Sequence, residues 1–325
     1  MMRSPTRFGA VVLGLIVVLA ACGGERRSSA DPGLYKGGRL SIATGNTTGV
    51  YYQLGGGYAD LITRNLSGYQ VTAEATGASV ENIQRVVRGD ADIAFTLADA
   101  ASDAATGKGA FTGRQPIRAL ARIYTNYTHV IARTDARIRS VADMKGKRVS
   151  TGSPNSGTEN IALRLLKAAG LNPESDIRKQ ALSLPETVQG IKDGTLDALF
   201  WSGGLPTGGI TDLTTSLKDA VVFVPIDDLL PKLVAEYGPV YQAADLKRDV
   251  YGAAQDVPTV AVPNLLIVSD RMPAKLAGDL TRVLFAHQAD LVKVHPEAGN
   301  ISRQEAPKTD PVDLHDGARQ FYGAS

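Results

Sequence analysis

The stretch Ile83-x-x-Val86-x-x-Gly89-x-x-Asp92-Ile93-Ala94-Phe95 returns 105 residues later as Val188-x-x-Ile191-x-x-Gly194-x-x-Asp197-Ala198-Leu199-Phe200. Each copy puts apolar residues on one helical face, then a Gly where a helix needs a left-handed residue to stop, then a short apolar run that reads as a buried strand. Two such units predict two lobes of similar build. The junction also occurs singly in any α/β protein, so the repeat alone leaves open whether there are two lobes. Two long extended stretches bear on this, Ile117 to Arg133 and Val257 to Ser269, the second containing Pro258 and Pro263, which favour extended chain over helix interior. They have the form of two crossover segments between lobes. On that reading lobe I spans residues 40–126 plus 262–325 and lobe II spans 127–261.

From Leu40 onward, apolar β-type runs alternate with helical patterns, which predicts an α/β protein with mainly parallel sheets. A first strand over Leu40 to Thr44 leads through a Gly-rich turn into a helix from about Gly49 to Leu66, with Tyr51, Leu54, Tyr58, Leu61 and Ile62 on one face. Gly55, Gly56 and Gly57 inside that helix cost about 1 kcal/mol each in propensity. Close packing on the sheet is the expected compensation. A tail helix is expected over about Pro273 to Val294, ending before His295-Pro296.

The chain begins with a targeting signal. Arg3 and Arg7 precede an apolar run from Phe8 to Ala21, too short to span a bilayer comfortably and long enough for a signal peptide. It ends in Leu19-Ala20-Ala21-Cys22, which has the form of a lipobox, so residues 1–21 are expected to be removed and Cys22 lipidated. An ordinary signal peptide that happens to meet a Cys is the alternative. Cys22 is the only Cys of the chain, and an exported protein has little use for a free thiol. Residues 22–39, rich in Gly, Ser and charge, read as a flexible tether. The formal charge of +2 comes from 35 basic against 33 acidic residues. Its excess is Arg3 and Arg7, so the processed chain is balanced, and its scattered charges give no reason to expect a nucleic-acid partner.

The sharpest local signal is Gly152-Ser153-Pro154-Asn155-Ser156-Gly157-Thr158-Glu159, between a predicted strand and helix. Its Gly-x4-Gly-Thr spacing imitates a phosphate loop but carries Thr158 where the Lys belongs. What remains is a helix N-terminus whose free N–H groups, with the Ser156 and Thr158 hydroxyls, suit a small carboxylate. A simple N-cap needs only one of those hydroxyls. Gly45-Asn46-Thr47-Thr48-Gly49 and Thr76-Gly77-Ala78-Ser79 are two more hydroxyl-rich helix starts, at the sheet edge where open α/β sheets bind ligands. Trp201 and Gly204 follow a buried strand; the ring either walls the cleft or fills lobe core. Tyr124 and Tyr127 lie near the expected hinge, and Tyr52, one position off the buried stripe of its helix, is free to face the pocket. No Gly-x-Ser-x-Gly, His-Glu-x-x-His, Cys-x-x-Cys or dinucleotide-loop pattern is present, and the four His residues are dispersed. No catalytic residue, metal site or cofactor is therefore expected.

The run Thr44-Gly45-x3-Gly49-x-Tyr51-Tyr52-x-Leu54-Gly55, then Gly77-x-Ser79-x-Glu81-Asn82, Asp143-x-Lys145-Gly146-Lys147-Arg148-Val149 and Ser156-Gly157-Thr158-Glu159, resembles the TAXI solute-binding proteins of tripartite ATP-independent periplasmic (TRAP) transporters. The similarity runs in order from about Leu40 to Tyr322. It implies a two-lobed periplasmic-binding-protein fold of type II that closes around a small carboxylate, glutamate, glutamine or 2-oxoglutarate-like, and delivers it to a TRAP permease. Carried over by position, it marks Thr47, Thr48, Tyr52, Ser79, Tyr124, Ser156, Gly157 and Thr158 as ligand-binding, and Gly204, after the buried strand, is expected to join them. The chain departs from the family pattern at Leu97-Ala98-Asp99, where relatives often read Gln-Ser-Asp, at Leu246-Lys247 and at Leu314-His315-Asp316-Gly317-Ala318. The expectation is a lipid-anchored extracytoplasmic receptor, no enzyme. A ligand-sensing subunit for a sensor kinase, or an enzyme on the same fold, are the alternatives.

Overall fold

The computed structural model describes Met1 and residues 38–323, so the targeting segment, Cys22 and most of the expected tether lie outside the described residues. The first half of the chain begins with β1 (Gly38–Ala43), α1 (Val50–Asn65), β2 (Tyr69–Glu74), α2 (Ser79–Arg88), β3 (Ile93–Leu97) and α3 (Ala98–Thr106). The long strand β4 (Ile117–Arg133) follows, then β5 (Arg148–Ser150), α4 (Gly157–Ala168), β6 (Arg178–Gln180), α5 (Leu184–Lys192) and β7 (Ala198–Gly203). After these come α6 (Gly208–Leu217), β8 (Val221–Phe223), α7 (Leu230–Tyr237), β9 (Gln242–Leu246) and α8 (Arg248–Tyr251). The chain returns through β10 (Val257–Ser269) and closes with α9 (Ala274–Ala286), α10 (Gln288–Val294) and α11 (Asp316–Tyr322).

The main strand order is β2-β1-β3-β10-β4-β7-β5-β6, with β8 beside β4 and β9 beside β10. Within each half the strands are parallel, β2-β1-β3 in one and β6-β5-β7 in the other. The two extended stretches read from sequence are β4 and β10, and they pair antiparallel with each other along their length. The Ile117–Asn126 part of this ribbon stands with β3, through β10 residues Asn264–Val268, and the Tyr127–Ala132 part pairs with β7. One ribbon thus carries both parallel sheets, and the parallel strands of each end toward the space between them.

Both copies of the internal repeat fold alike. Gly89 and Gly194 adopt left-handed φ of 80° and 69° after α2 and α5, and β3 and β7 follow. Asp92 accepts the Ser41 N–H at 2.8 Å, and Asp197 accepts the Arg148 N–H at 2.7 Å, so the repeated Asp ties each strand start to its neighbour. The tail differs from its expectation. His287 leaves helical geometry at φ −118° and ψ 22°, which divides the expected single helix into α9 and α10. β1 likewise starts two residues earlier than expected, at Gly38.

The glycine triplet in α1 serves unequal purposes. A Cβ at Gly55 would lie 2.4 Å from Thr44 Cγ2, and one at Gly57 would lie 2.9 Å from Val294 Cγ2 on α10. At Gly56 it would meet open space. Thr44 is fully buried and its hydroxyl donates to the Glu74 carbonyl at 2.6 Å, so it cannot turn aside without losing that bond. Gly55→Ala is therefore expected to lower stability by about 1–3 kcal/mol, whereas Gly56→Ala raises it by about 0.5–1 kcal/mol. Denaturant titration of the two variants checks the opposite signs.

Candidate ligand-binding site

Helix α4 starts where the sequence places a helix N-terminus. Ser156 caps it, its hydroxyl accepting the Glu159 N–H at 2.9 Å, and the Glu159 carboxylate accepts the N–H of Asn155, a residue at positive φ. This loop meets the start of α2 across the gap between the halves. The Asn155 carbonyl accepts from Val80 N at 3.1 Å and Glu81 N at 3.0 Å, so a loop of one half caps a helix of the other. Asn46 makes a second bridge, accepting the Leu184 N–H at 2.8 Å. The Leu205 N–H donates to Glu297, a third.

Between these bridges lies a cavity. About 440 Å³ of space within its lining, solvent at its mouth included, is free of atoms. The walls come from the C-terminal ends of the parallel strands and the helix starts that follow them, with Gly49, Ser79 and Leu97 on one side and Ser156, Gly157 and Trp201 on the other. That is the ligand edge of α/β sheets. A Cβ at Gly157 would lie 2.5 Å from both Leu97 Cδ1 and Ser79 Oγ, so only glycine allows this approach of α4 to the opposite wall. The Trp201 ring serves both roles left open by the sequence: it lines the cavity and packs with Leu184, Ile210 and Leu213. Its Nε1 donates to Thr207 Oγ1 at 3.1 Å.

Two groups in the wall lack protein partners. The Tyr124 and Ser202 hydroxyls are buried with nothing to bond to, although their residues are only 1% and 6% exposed. An unpaired buried hydroxyl costs about 1–3 kcal/mol. Both stand on cavity-lining residues, so a polar ligand can recover that cost. Burial pushes the Tyr124 phenol pKa well up, which keeps it a donor. The strand backbone there is pinned: the neighbouring Asn264 amide donates to the Tyr124 carbonyl at 3.0 Å and to Asn126 Oδ1 at 2.8 Å. Asn264 in turn accepts from the Tyr51 hydroxyl. Asn126 donates to the Ser202 carbonyl at 3.2 Å, which continues this chain of amides from β10 through β4 to β7.

Of the residues singled out from sequence, Ser79, Tyr124, Ser156, Gly157, Thr158 and Gly204 line the cavity. Thr47, Thr48 and Tyr52 do not, and their expected contact is corrected. Tyr52 is 36% exposed. Leaving the buried stripe of α1 turns it toward solvent, because the cavity lies at the helix start on the side of Tyr51. Thr47 is exposed. Thr48 stands against α6, its hydroxyl 3.2 Å from where a Gly209 Cβ would be. The sequence reading missed Asn46, Asn126, Ser153 and Ser202 as wall residues. Asn46 lay inside a flagged turn, but Asn126 and Ser202 sit in strands with no local pattern, and only the pairing of β4 with β7 brings them to the cavity.

His129 is buried below the site. Its ring bonds the Tyr127 carbonyl at 2.9 Å and the Tyr251 hydroxyl at 3.2 Å. Desolvation pushes its pKa down to about 4, so it is neutral at physiological pH and acts as a structural link.

The NMT1-like family model matches residues 42–323, nearly all of the described chain. The chain belongs to the NMT1-like family. Solved structures agree in fold with this NMT1-like protein. A binding-protein component of an ABC phosphonate transporter from Pseudomonas aeruginosa is similar at TM-score 0.53 and 16% identity, over 81% of this chain and 80% of that one. MatC from Rhodopseudomonas palustris with bound malate is similar at TM-score 0.52 and 13% identity, over 88% of this chain and 98% of that one. A Xanthomonas citri protein bound to ATP gives 0.51 and 13%, with the same two coverages. The NMT1-like chain thus has the two-lobed α/β fold of type II periplasmic binding proteins.

Proposed function

We propose that the protein is an extracytoplasmic solute receptor that closes its two lobes around a small carboxylate. The observation that carries this reading is the cavity between the halves, walled by helix starts and holding two buried hydroxyls without protein partners. Helix N-termini favour an anion there, and exclusion of water strengthens each hydrogen bond to it. The lining groups are hydroxyls, amides, backbone and apolar side chains, a set suited to holding a solute and poor in proton-transfer groups. The lobes are proposed to divide at 126/127 and 261/262, within the β4–β10 ribbon.

Delivery to a TRAP permease is the narrower part of the proposal and rests on the TAXI-like motifs. The fold is shared with receptors of ABC transporters and does not choose between them. Uptake that collapses with an ion gradient but survives ATP depletion supports the TRAP assignment; the reverse overturns it. Anchoring through Cys22 is proposed from the lipobox, and Cys22→Ser is expected to release the protein from membranes. Unchanged membrane association in that variant ends the lipoprotein reading.

The test of the site is a thermal-shift screen against keto acids, dicarboxylates, monocarboxylates and amino acids. A true ligand raises the melting temperature saturably, since it binds only the folded state. Tyr124→Phe is expected to leave the ligand-free melting temperature unchanged or higher, because no bond is lost, while weakening binding about 10-fold or more. If no carboxylate shifts the transition and a cationic or purely apolar compound does, the carboxylate reading fails.

A further inference from the structure

On the reading that this cavity receives a small carboxylate, we infer that its ligand is an amine-free acid, a 2-oxo, 2-hydroxy or unsubstituted carboxylate, and that α-amino acids are rejected. The inference comes from the charge inventory of the walls. Every residue lining the cavity is uncharged. The starts of α1, α2 and α4, at Val50, Ser79 and Gly157, all stand on the wall, which brings the positive ends of three helix dipoles to it. The unpartnered Tyr124 and Ser202 hydroxyls add two groups able to donate to a carboxylate.

An α-ammonium group brought into the same space needs a carboxylate to receive it, since a buried charge is tolerated only when paired. The carboxylates on the surrounding turns each hold a loop N–H. Glu81 accepts the Gly77 N–H at 2.7 Å, and Glu159 accepts the Asn155 N–H at 2.8 Å. Glu297 lies behind Gly204, where its two oxygens take the Leu205 N–H at 2.5 Å and the Asn300 amide at 2.7 Å. Burial also pushes the Glu297 pKa up, toward the neutral form that cannot pair with an ammonium. Each carboxylate fixes a loop that shapes the wall, and none of the three is itself a wall residue. The apolar part of the wall, Val50 and Leu97 among it, suits the hydrocarbon body of an acid and offers an ammonium no counter-charge.

The experiment takes whichever carboxylate saturates in the thermal-shift screen and compares it, by isothermal titration on the intact protein, with the compound that differs only at the α-carbon. 2-Oxoglutarate is paired with glutamate, 4-methyl-2-oxopentanoate with leucine, and phenylpyruvate with phenylalanine. The amine-free member is expected to bind at least about 100-fold tighter, the cost of an unpaired buried charge expressed as a ratio of affinities. An amino acid that binds as tightly as its partner, or tighter, overturns the inference and leaves the carboxylate-receptor reading standing. If no carboxylate of either kind saturates, the reading fails and the inference falls with it.

Discussion

Gly157→Val is expected to abolish ligand binding, with affinity at least about 100-fold weaker, while the ligand-free protein keeps its fold. A Cβ at this position lies 2.5 Å from Leu97 Cδ1 and from Ser79 Oγ, and 3.0 Å from Leu97 Cγ. Neither neighbour yields easily. Leu97 is 2% exposed, and the Ser79 hydroxyl is fixed as acceptor of the Leu97 N–H at 3.0 Å. Both lie on the opposite half of the molecule, so the clash is relieved by holding the halves apart rather than by repacking a core. Overpacking of this kind costs about 1–3 kcal/mol for a methyl-sized intrusion and more for an isopropyl group. A penalty of 3 kcal/mol on closure alone makes the apparent affinity about 150-fold weaker. Circular dichroism and thermal melting should match the parent within a few degrees, and the ligand-induced shift should vanish. Gly157→Ala should lie between the two. Unchanged affinity in the Val variant would remove this loop from the site.

The expectation about Gly157 was available from sequence because its warrant is local: a Gly-x4-Gly-Thr turn between strand and helix specifies a helix start with free N–H groups. The same holds for Ser79, for the Gly89 and Gly194 stops, and for the two long extended stretches, marked by their length and, in the second, by Pro258 and Pro263. Tyr52 shows where local logic fails. Helical periodicity says which face is buried against the sheet, but the cavity opens at the end of α1, and a residue off the stripe is then simply exposed. Asn126 and Ser202 show the other limit. Neither carries a local pattern that marks it, and its place in the wall exists only because β4 and β7 pair in a particular register. In the Leu97-Ala98-Asp99 segment, Leu97 and Ala98 stand where relatives often have Gln and Ser, and Asp99 is common to both patterns. Leu97 lines the cavity, and Asp99, in the first turn of α3, points into a buried ionic cluster.

That cluster gives the largest stability effect expected in the molecule. Arg164 on α4 reaches both Asp99 and Asp103 on α3, with side-chain exposures of 7%, 0% and 12% respectively. Its guanidinium also donates to the Tyr241 hydroxyl at 2.8 Å and lies 4.0 Å above the Tyr237 ring. Asp99 receives Tyr241 at 2.8 Å and Asn160 at 3.0 Å. One cation thus serves two buried carboxylates, and removing it leaves both uncompensated. Arg164→Met is expected to cost about 3–5 kcal/mol, a fall in Tm of roughly 6–15 °C at this chain length. Because α3 follows Leu97 and α4 begins at Gly157, the same variant should loosen the two cavity walls and weaken ligand binding. Burial already pushes the Asp103 pKa up, with Arg164 opposing the rise; without the arginine it rises further. A carboxyl whose folded pKa lies above its unfolded value favours folding while protonated and loses that contribution as pH rises through the folded pKa. The deficit of the variant should therefore narrow as pH falls toward 4 and widen above neutrality. Adding Asp103→Ala and Asp99→Asn to Arg164→Met removes the stranded charges and should recover part of the loss. A single variant within 2 °C of the parent at pH 8 would show that the cluster is hydrated and carries little of the contact between the halves.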